Sequence, residues 1–227
     1  MGEGLSFNLR LYEYYFPSRL GGLLRIFWRG KNPFFSGELE KKVIFIHIPK
    51  NAGRSIYKDI FDAEGRHIQL KRYYLYSPSQ TLSFFKFAVV RDPVERFVSA
   101  FNGLKGSARG DGEYDAFVRK NIESFHDVSD FVDWMRASKK NIDKVLTWVH
   151  FYPQYKWINV EDANVTVDRL LRFESLSTDW PKFAADMGFS PSLSFVGKGK
   201  TSEIKLSEGQ VEFIREVYSR DCELFSY

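Results

Sequence analysis

Apolar and polar positions along the chain follow two periods, and the switches between them mark out the elements. Val43-Ile44-Phe45-Ile46 is a continuous β-branched and aromatic run, the pattern of a strand buried on both faces in a parallel sheet. Phe84 to Val90 is a second such run. A third, shorter one, Val165-Thr166-Val167, leads into Leu170-Leu171-Arg172-Phe173. Between these runs the period becomes helical. Asp92 is placed to cap a helix, Pro93 suits its first position and Glu95 completes a capping box. Val94, Phe97, Val98 and Phe101 then supply the stripe of a buried face. Further helices are predicted over 55–61, 129–137 and 180–187, and from Ser207 to the C-terminus, the last opened by a Ser207/Gln210 capping box. Strands alternating with helices predict a doubly wound α/β fold, a parallel sheet flanked by helices, in which ligands bind at the carboxyl ends of the strands.

Gly30-Lys31-Asn32-Pro33 is a loop signal and separates an N-terminal arm, 1–37, from one domain over 38–227. A chain of 227 residues that is 44% hydrophobic and 17% aromatic sustains a single large core. The stretch from Leu9 to Arg29, rich in Tyr, Leu, Phe and Arg, has two readings: an amphipathic helix lying on a membrane surface, or an arm packed on the domain. No stretch reaches the about 18 uncharged apolar residues of a membrane span. Leu20 to Trp28 is interrupted by Arg25 and lacks the form of a signal peptide.

Lys and Arg number 33 against 29 Asp and Glu, and the net charge of +4 suits an anionic ligand. The signs alternate along the chain without basic runs, which argues against a nucleic-acid partner. Cys222 is the one cysteine, so no internal disulfide forms, and a reducing, bacterial-type cytoplasm is the expectation. A Golgi-lumenal domain trimmed of its anchor would share that composition. Asn164-Val165-Thr166 is a glycosylation sequon only in a secreted chain.

The segments immediately after the first two strands carry the chemistry. After the first comes His47-Ile48-Pro49-Lys50-Asn51-Ala52-Gly53-Arg54-Ser55 and then a helix. Small residues there let backbone N–H groups converge on a phosphate, the helix N-terminus adds partial positive charge, and Lys50 adds a full one. Arg91 leaves the end of the second strand. Ser99 lies on the Asp92 side of the next helix, roughly 140° from the stripe begun by Val94. Arg91 and Ser99 therefore make a second candidate phosphate site, the other reading being an Arg91 paired with a carboxylate and a solvated Ser99.

These two segments resemble the sulfotransferases that use 3′-phosphoadenosine 5′-phosphosulfate (PAPS), particularly the carbohydrate sulfotransferase branch and its bacterial relatives. Lys50 through Ser55 match that family's loop for the 5′-phosphosulfate, and Arg91 through Ser99 match its segment for the 3′-phosphate. His150-Phe151-Tyr152-Pro153-Gln154, Leu171-Arg172-Phe173-Glu174-Ser175-Leu176 and Tyr218-Ser219-Arg220-Asp221-Cys222-Glu223-Leu224-Phe225 extend the resemblance over roughly 42–227. Asn51 and Arg54 depart from the family, which has Thr at both places, so a hydroxyl contact is exchanged for a guanidinium.

The resemblance implies a P-loop-like fold and a single-domain transferase. Lys50, Asn51, Ala52, Gly53, Arg54, Ser55, Arg91 and Ser99 would bind PAPS as donor and 3′-phosphoadenosine 5′-phosphate (PAP) as product. Lys198 and Lys200, in Gly197-Lys198-Gly199-Lys200, would close a loop over the nucleotide. Lys50 would stabilise the bridging oxygen and a histidine would take the proton of an acceptor hydroxyl, on a glycan or glycolipid, with no metal required. Bacterial relatives place a His between the two nucleotide motifs, as His67 stands here. His67 is therefore the leading base and His150 the next. His47 reads as structural and His126 as exposed. His150 with Gln154 would orient substrate or brace the nucleotide site, and Trp148 is a further candidate for substrate contact, although an aromatic cluster such as Trp148, Phe151, Tyr152, Tyr155 and Trp157 is more often a core.

Two alternatives stand beside this one. Gly199-Lys200-Thr201 is half of a Walker A motif and would fit a P-loop kinase, but Ser194 occupies the place of its first Gly and no strand-to-helix transition comes after it. A nucleotide-binding or interaction module that lacks catalysis is the other.

Overall fold

The computed structural model describes residues 32–108, 110, 112–190, 193 and 206–227. The fold is mixed α/β, with a three-stranded parallel sheet flanked by helices. The strands are β1 (Val43–Ile46), β2 (Phe85–Val90) and β3 (Arg169–Arg172), in the order β1-β2-β3. The pair β1 and β2 runs in the register Val43↔Phe85 to Ile46↔Ala88. All four residues of β1 are buried, as a β-branched run between two covered faces requires.

The chain divides into two compact units. Residues 32–46, 68–88 and 157–169 form the first. Its helices are α1 (Ser36–Lys41), α3 (Leu70–Tyr76) and α4 (Pro78–Ser83), none of which the apolar pattern predicts. Phe34 packs edge-on to Tyr73 and Phe84, and Phe45 stacks on Phe87 across the β1–β2 pair at 4.8 Å. Glu38, at the predicted start of the domain, is buried and accepts from the Tyr73 hydroxyl at 2.8 Å. The third strand begins later than its pattern predicts. Val165 is drawn instead into an antiparallel bridge with Val160, closed by the left-handed Asn164, so the Asp168 N–H is the first to reach β2, at Lys86 O.

The second unit, residues 47–67, 89–156 and 170–227, holds the larger core and the described parts of the two candidate phosphate segments and their supporting segments. Its elements are α2 (Gly53–Phe61), α5 (Pro93–Leu104), α6 (Glu113–Asn121), α7 (Val128–Arg136), α8 (Lys139–Val145), α10 (Leu176–Met187), α11 (Glu208–Val217) and α12 (Ser219–Phe225). The short α9 (Tyr155–Ile158) comes directly after His150-Phe151-Tyr152-Pro153-Gln154. The predicted stripe of α5 is buried throughout, and Phe97 and Phe101 stack against Phe131 of α7. Trp148 and Phe151 complete this aromatic core.

Two helix ends differ from expectation. Asp92 caps α5 through Val94 N and Glu95 N, with Pro93 at its start, but Glu95 does not reach back to close the box. The Asp92 N–H goes to Glu174 Oε1 at 2.7 Å, and Glu95 turns to Arg91, because a cation four residues away in sequence competes for its carboxylate. The C-terminal helix is two helices. Its Ser207/Gln210 box forms as predicted, but Tyr218 leaves helical geometry (φ −106°, ψ 27°) and donates its hydroxyl to Phe151 O at 2.6 Å.

Candidate functional site

Leaving β1, the chain makes its turn with non-glycine residues in left-handed conformations. Lys50 has φ 73° and Ala52 φ 60°. Each such residue costs about 1 to 3 kcal/mol and persists only where its surroundings enforce it. Left-handed turns alternating along a loop aim successive N–H groups into one concavity, and α2, beginning at Gly53, adds the positive end of its dipole there. The predicted reason for a glycine at 53 is different in the structure. Its φ is not left-handed. Instead the His47 ring occupies its side-chain space, and a Cβ would lie 1.7 Å from His47 Cδ2. Gly65 meets the same ring from another side, with His47 Nδ1 2.6 Å from the place of its Cβ. His47 is thus a buried wedge, as its structural assignment expected.

Asn51 is 1% exposed. Its amide nitrogen donates to Val89 O at 2.7 Å and to Gln154 Oε1 at 2.8 Å, so its side chain faces inward and only its backbone is left for a ligand. Gln154 is fully buried and every polar atom of its side chain is used within the protein. Its Oε1 also accepts from Arg91 N at 3.0 Å and its Nε2 donates to Arg91 O at 2.8 Å. Its own N–H and that of Tyr155 donate to Asp221, each at 2.8 Å. A chain of bonds therefore runs from α12 through Gln154 to both the loop and Arg91. Of the two roles open to Gln154, the brace is the one its enclosure fits, and the Trp148 ring is buried in the aromatic core, the other reading of its cluster.

Lys50, Arg54 and Arg91 gather at the loop. The Lys50 ammonium lies against the bare backbone of Gly103 in α5, where a Cβ would be 2.3 Å from Nζ. Partial burial lowers its pKa, and the positive charges of Arg54 and Arg91 lower it further. Cations gathered in this way mark a place short of negative charge. Arg91 lies 4.2 Å over the Phe173 ring, donates to Glu95 and to Lys50 O, and is held flat by both. Arg54 is exposed, and Ser55 and Ser99 are partly so.

His67 Nδ1 lies 3.1 Å from His47 O. A carbonyl can only accept, so the hydrogen is on Nδ1 and the neutral ring carries its lone pair on Nε2. Burial of part of the ring lowers its pKa, the His47 bond opposes this, and Arg96 adds to the lowering. The ring keeps an exposed edge. His150, 6.4 Å from His67 between ring centres, is pushed down to about 3 by burial, His67, Lys50 and Arg96. Three histidines thus stand together with neutral rings near pH 7. His126 is exposed beside Asp127, apart from them.

The composition pattern missed Arg96, Asp221 and Glu174, all of which hold the site from outside it. Only the spacing of the Arg91-to-Ser99 segment pointed to Arg96. Lys198 and Lys200, the Walker-like triplet and residues 1–31 lie outside the described residues. No helix among the described residues is long and apolar enough to cross a membrane. A family model whose description is "Sulfotransferase family" matches residues 35–227. No curated protein and no solved structure gives a significant match.

Proposed function

The chain belongs to the sulfotransferase family, whose reaction is sulfonate transfer, and on that premise we propose that it takes the sulfonate from PAPS and places it on the hydroxyl of a carbohydrate or glycolipid. One observation carries the choice of donor: a loop with left-handed turns at Lys50 and Ala52 stands beside three cations, two of which lower the Lys50 pKa, with Arg91 on the next strand end. A ligand with two separated phosphate groups fits that charge deficit better than one with a single phosphate.

The donor supplies a sulfonate joined to a phosphate that leaves as an anion. The N–H groups around Ala52 and Gly53, with Lys50 and Arg54, hold the first phosphate, and Lys50 neutralises the oxygen from which the sulfonate departs. Arg91 and Ser99 hold the second. Asn51 and Gln154 keep the two subsites at a fixed separation. His67 Nε2 accepts the acceptor's hydroxyl proton, and His150 stands second for that role. Both rings are neutral at pH 7, the state a base requires.

Calorimetric titration with PAP tests the reading, on the intact protein and on Lys50→Ala and Arg91→Ala. Micromolar binding that weakens about tenfold or more in each variant is expected. A folded protein that does not bind PAP removes the donor assignment. Magnesium-dependent turnover of ATP would favour the kinase instead. With donor and a screened acceptor, His67→Ala lowers turnover by about 10² to 10⁴ if His67 is the base. Binding without turnover, indifferent to His67, marks a module that lacks catalysis.

A further inference from the structure

Arg172, Glu174 and Tyr227 have no part in the chemistry above, yet all three meet in the second unit. Glu174 is exposed, where water would hydrate its carboxylate, but both of its oxygens are taken by the protein. Its Oε1 accepts from the Asp92 N–H at 2.7 Å and its Oε2 from the Tyr227 hydroxyl at 2.9 Å. An ionised acceptor makes such bonds short and strong. The Arg172 guanidinium lies 4.6 Å over the Tyr227 ring and donates to Phe225 O. Tyr227 thus fastens the side chains on either side of Phe173.

Phe173 is the platform on which Arg91 rests. Its ring lies 4.2 Å from the Arg91 guanidinium, and its N–H donates at 2.8 Å to the carbonyl of Val90, one residue before Arg91. Glu174 holds the residue after Arg91, and that residue is itself anchored, because the Asp92 carboxylate caps α5 and pairs with Arg215 at 3.0 Å. Residues 172–174 therefore support Arg91 at its side chain and at both neighbours. A long side chain ordered in advance loses less freedom when a ligand arrives. Burial and the Glu174 carboxylate raise the Tyr227 pKa, so the hydroxyl keeps the proton it donates.

We propose that Tyr227 is a positioning residue for the second phosphate: it fastens Arg172 and Glu174 and, through the Phe173 ring between them, sets the Arg91 guanidinium in place before the nucleotide binds. This rests on the assignment of Arg91 to that phosphate.

The test compares the intact protein with Tyr227→Phe, which removes one oxygen and keeps the ring for Arg172, and with Glu174→Ala, after circular dichroism establishes folding. Calorimetry uses PAP and adenosine 5′-phosphate, which lacks the second phosphate. PAP binding is expected to weaken about three- to tenfold in each variant while adenosine 5′-phosphate binding stays. In an Arg91→Ala background Tyr227→Phe adds no further loss. If one variant does not fold, the other decides. Unchanged PAP affinity, a loss shared by both nucleotides, or a loss that persists without Arg91 overturns the proposal. The Arg91 Nε–H resonance, displaced by the Phe173 ring, reports placement with no nucleotide present, and in Tyr227→Phe it is expected to move toward the position of free arginine. An intact protein that binds no PAP counts against the proposed function, and this resonance then decides: unmoved in Tyr227→Phe, it overturns the latch.

Discussion

His47 fills the space that a side chain at Gly53 would need, with its Cδ2 1.7 Å from where the Cβ would stand. Gly53→Ala is therefore expected to cost about 2 to 3 kcal/mol through overpacking against a buried ring, although position 53 needs no unusual backbone angle. Urea unfolding of Gly53→Ala, His47→Ala and the double variant measures it. If the contact is the cause, the double variant is more stable than the sum of the two costs implies by about 1 kcal/mol or more.

Gly103 meets a side chain of the opposite kind. The Lys50 ammonium, at the end of a flexible stem, lies 2.3 Å from its Cβ position and can swing away. Gly103→Ala is expected to leave stability unchanged or raise it by about 0.5 to 1 kcal/mol through helix propensity. It also displaces Lys50, so PAP affinity falls. Thermal unfolding and calorimetry on one sample separate the two effects.

Asn51→Asp puts an oxygen where an amide nitrogen now donates to Val89 O and Gln154 Oε1. Two acceptors then face a third, and a loss of about 2 to 4 kcal/mol is expected. The fold raises the introduced carboxyl's pKa above its unfolded value. The variant is therefore least damaged at low pH, and its deficit against the intact protein grows as pH rises above about 4. Urea midpoints at pH 4.5 and pH 7.5 show the difference.

The histidines make the intact protein sensitive in the opposite direction. His47, His67 and His150 all have lowered values in the fold, the last to about 3. Unfolded, each takes up a proton as pH falls through about 6.5, and the folded protein does not. Stability is present above that value and declines below it, by up to about 1.4 kcal/mol per pH unit for the buried His47 and by less for the more open His150 and His67. Unfolding midpoints at pH 7.5, 6 and 5 are expected to fall in that order. A midpoint flat over that range would mean the rings already carry protons in the fold.

Glu95 occupies the Arg91 guanidinium at 3.1 Å, where a phosphate would otherwise compete. Glu95→Gln keeps the shape and removes the charge, so PAP is expected to bind a few times more tightly, at lower ionic strength most of all. Weaker binding would mean that Glu95 orients Arg91 for the ligand and does not restrain it.

The strand-to-helix turn after β1, the Asp92 cap and the α5 stripe were legible because each is written within about ten consecutive residues and decided by local geometry. The partners of the Gln154 brace were not. Asn51 meets Val89 across 38 positions and Gln154 across 103, and nothing in the composition of either neighbourhood announces the bond. Glu95 shows the same limit from the other side. Its spacing fits a capping box, but Arg91 and Glu174 settle its partner, and Glu174 stands 82 residues from Asp92. The short α3 and α4 escaped because Tyr-rich and Ser-rich turns of helix carry little periodic signal. Val165 misled because its β-branched run closes on Val160 and does not extend the sheet.

The fastening of Gln154 and Tyr155 by Asp221, and of Phe151 by Tyr218, sets an order of events during synthesis. Chains are made from the N-terminus, and the loop after β1 leaves the ribosome about 170 residues before the side chains that lock its brace. A nascent chain therefore carries the loop before it carries the fastening. The shape of the loop is set by residues made long after it.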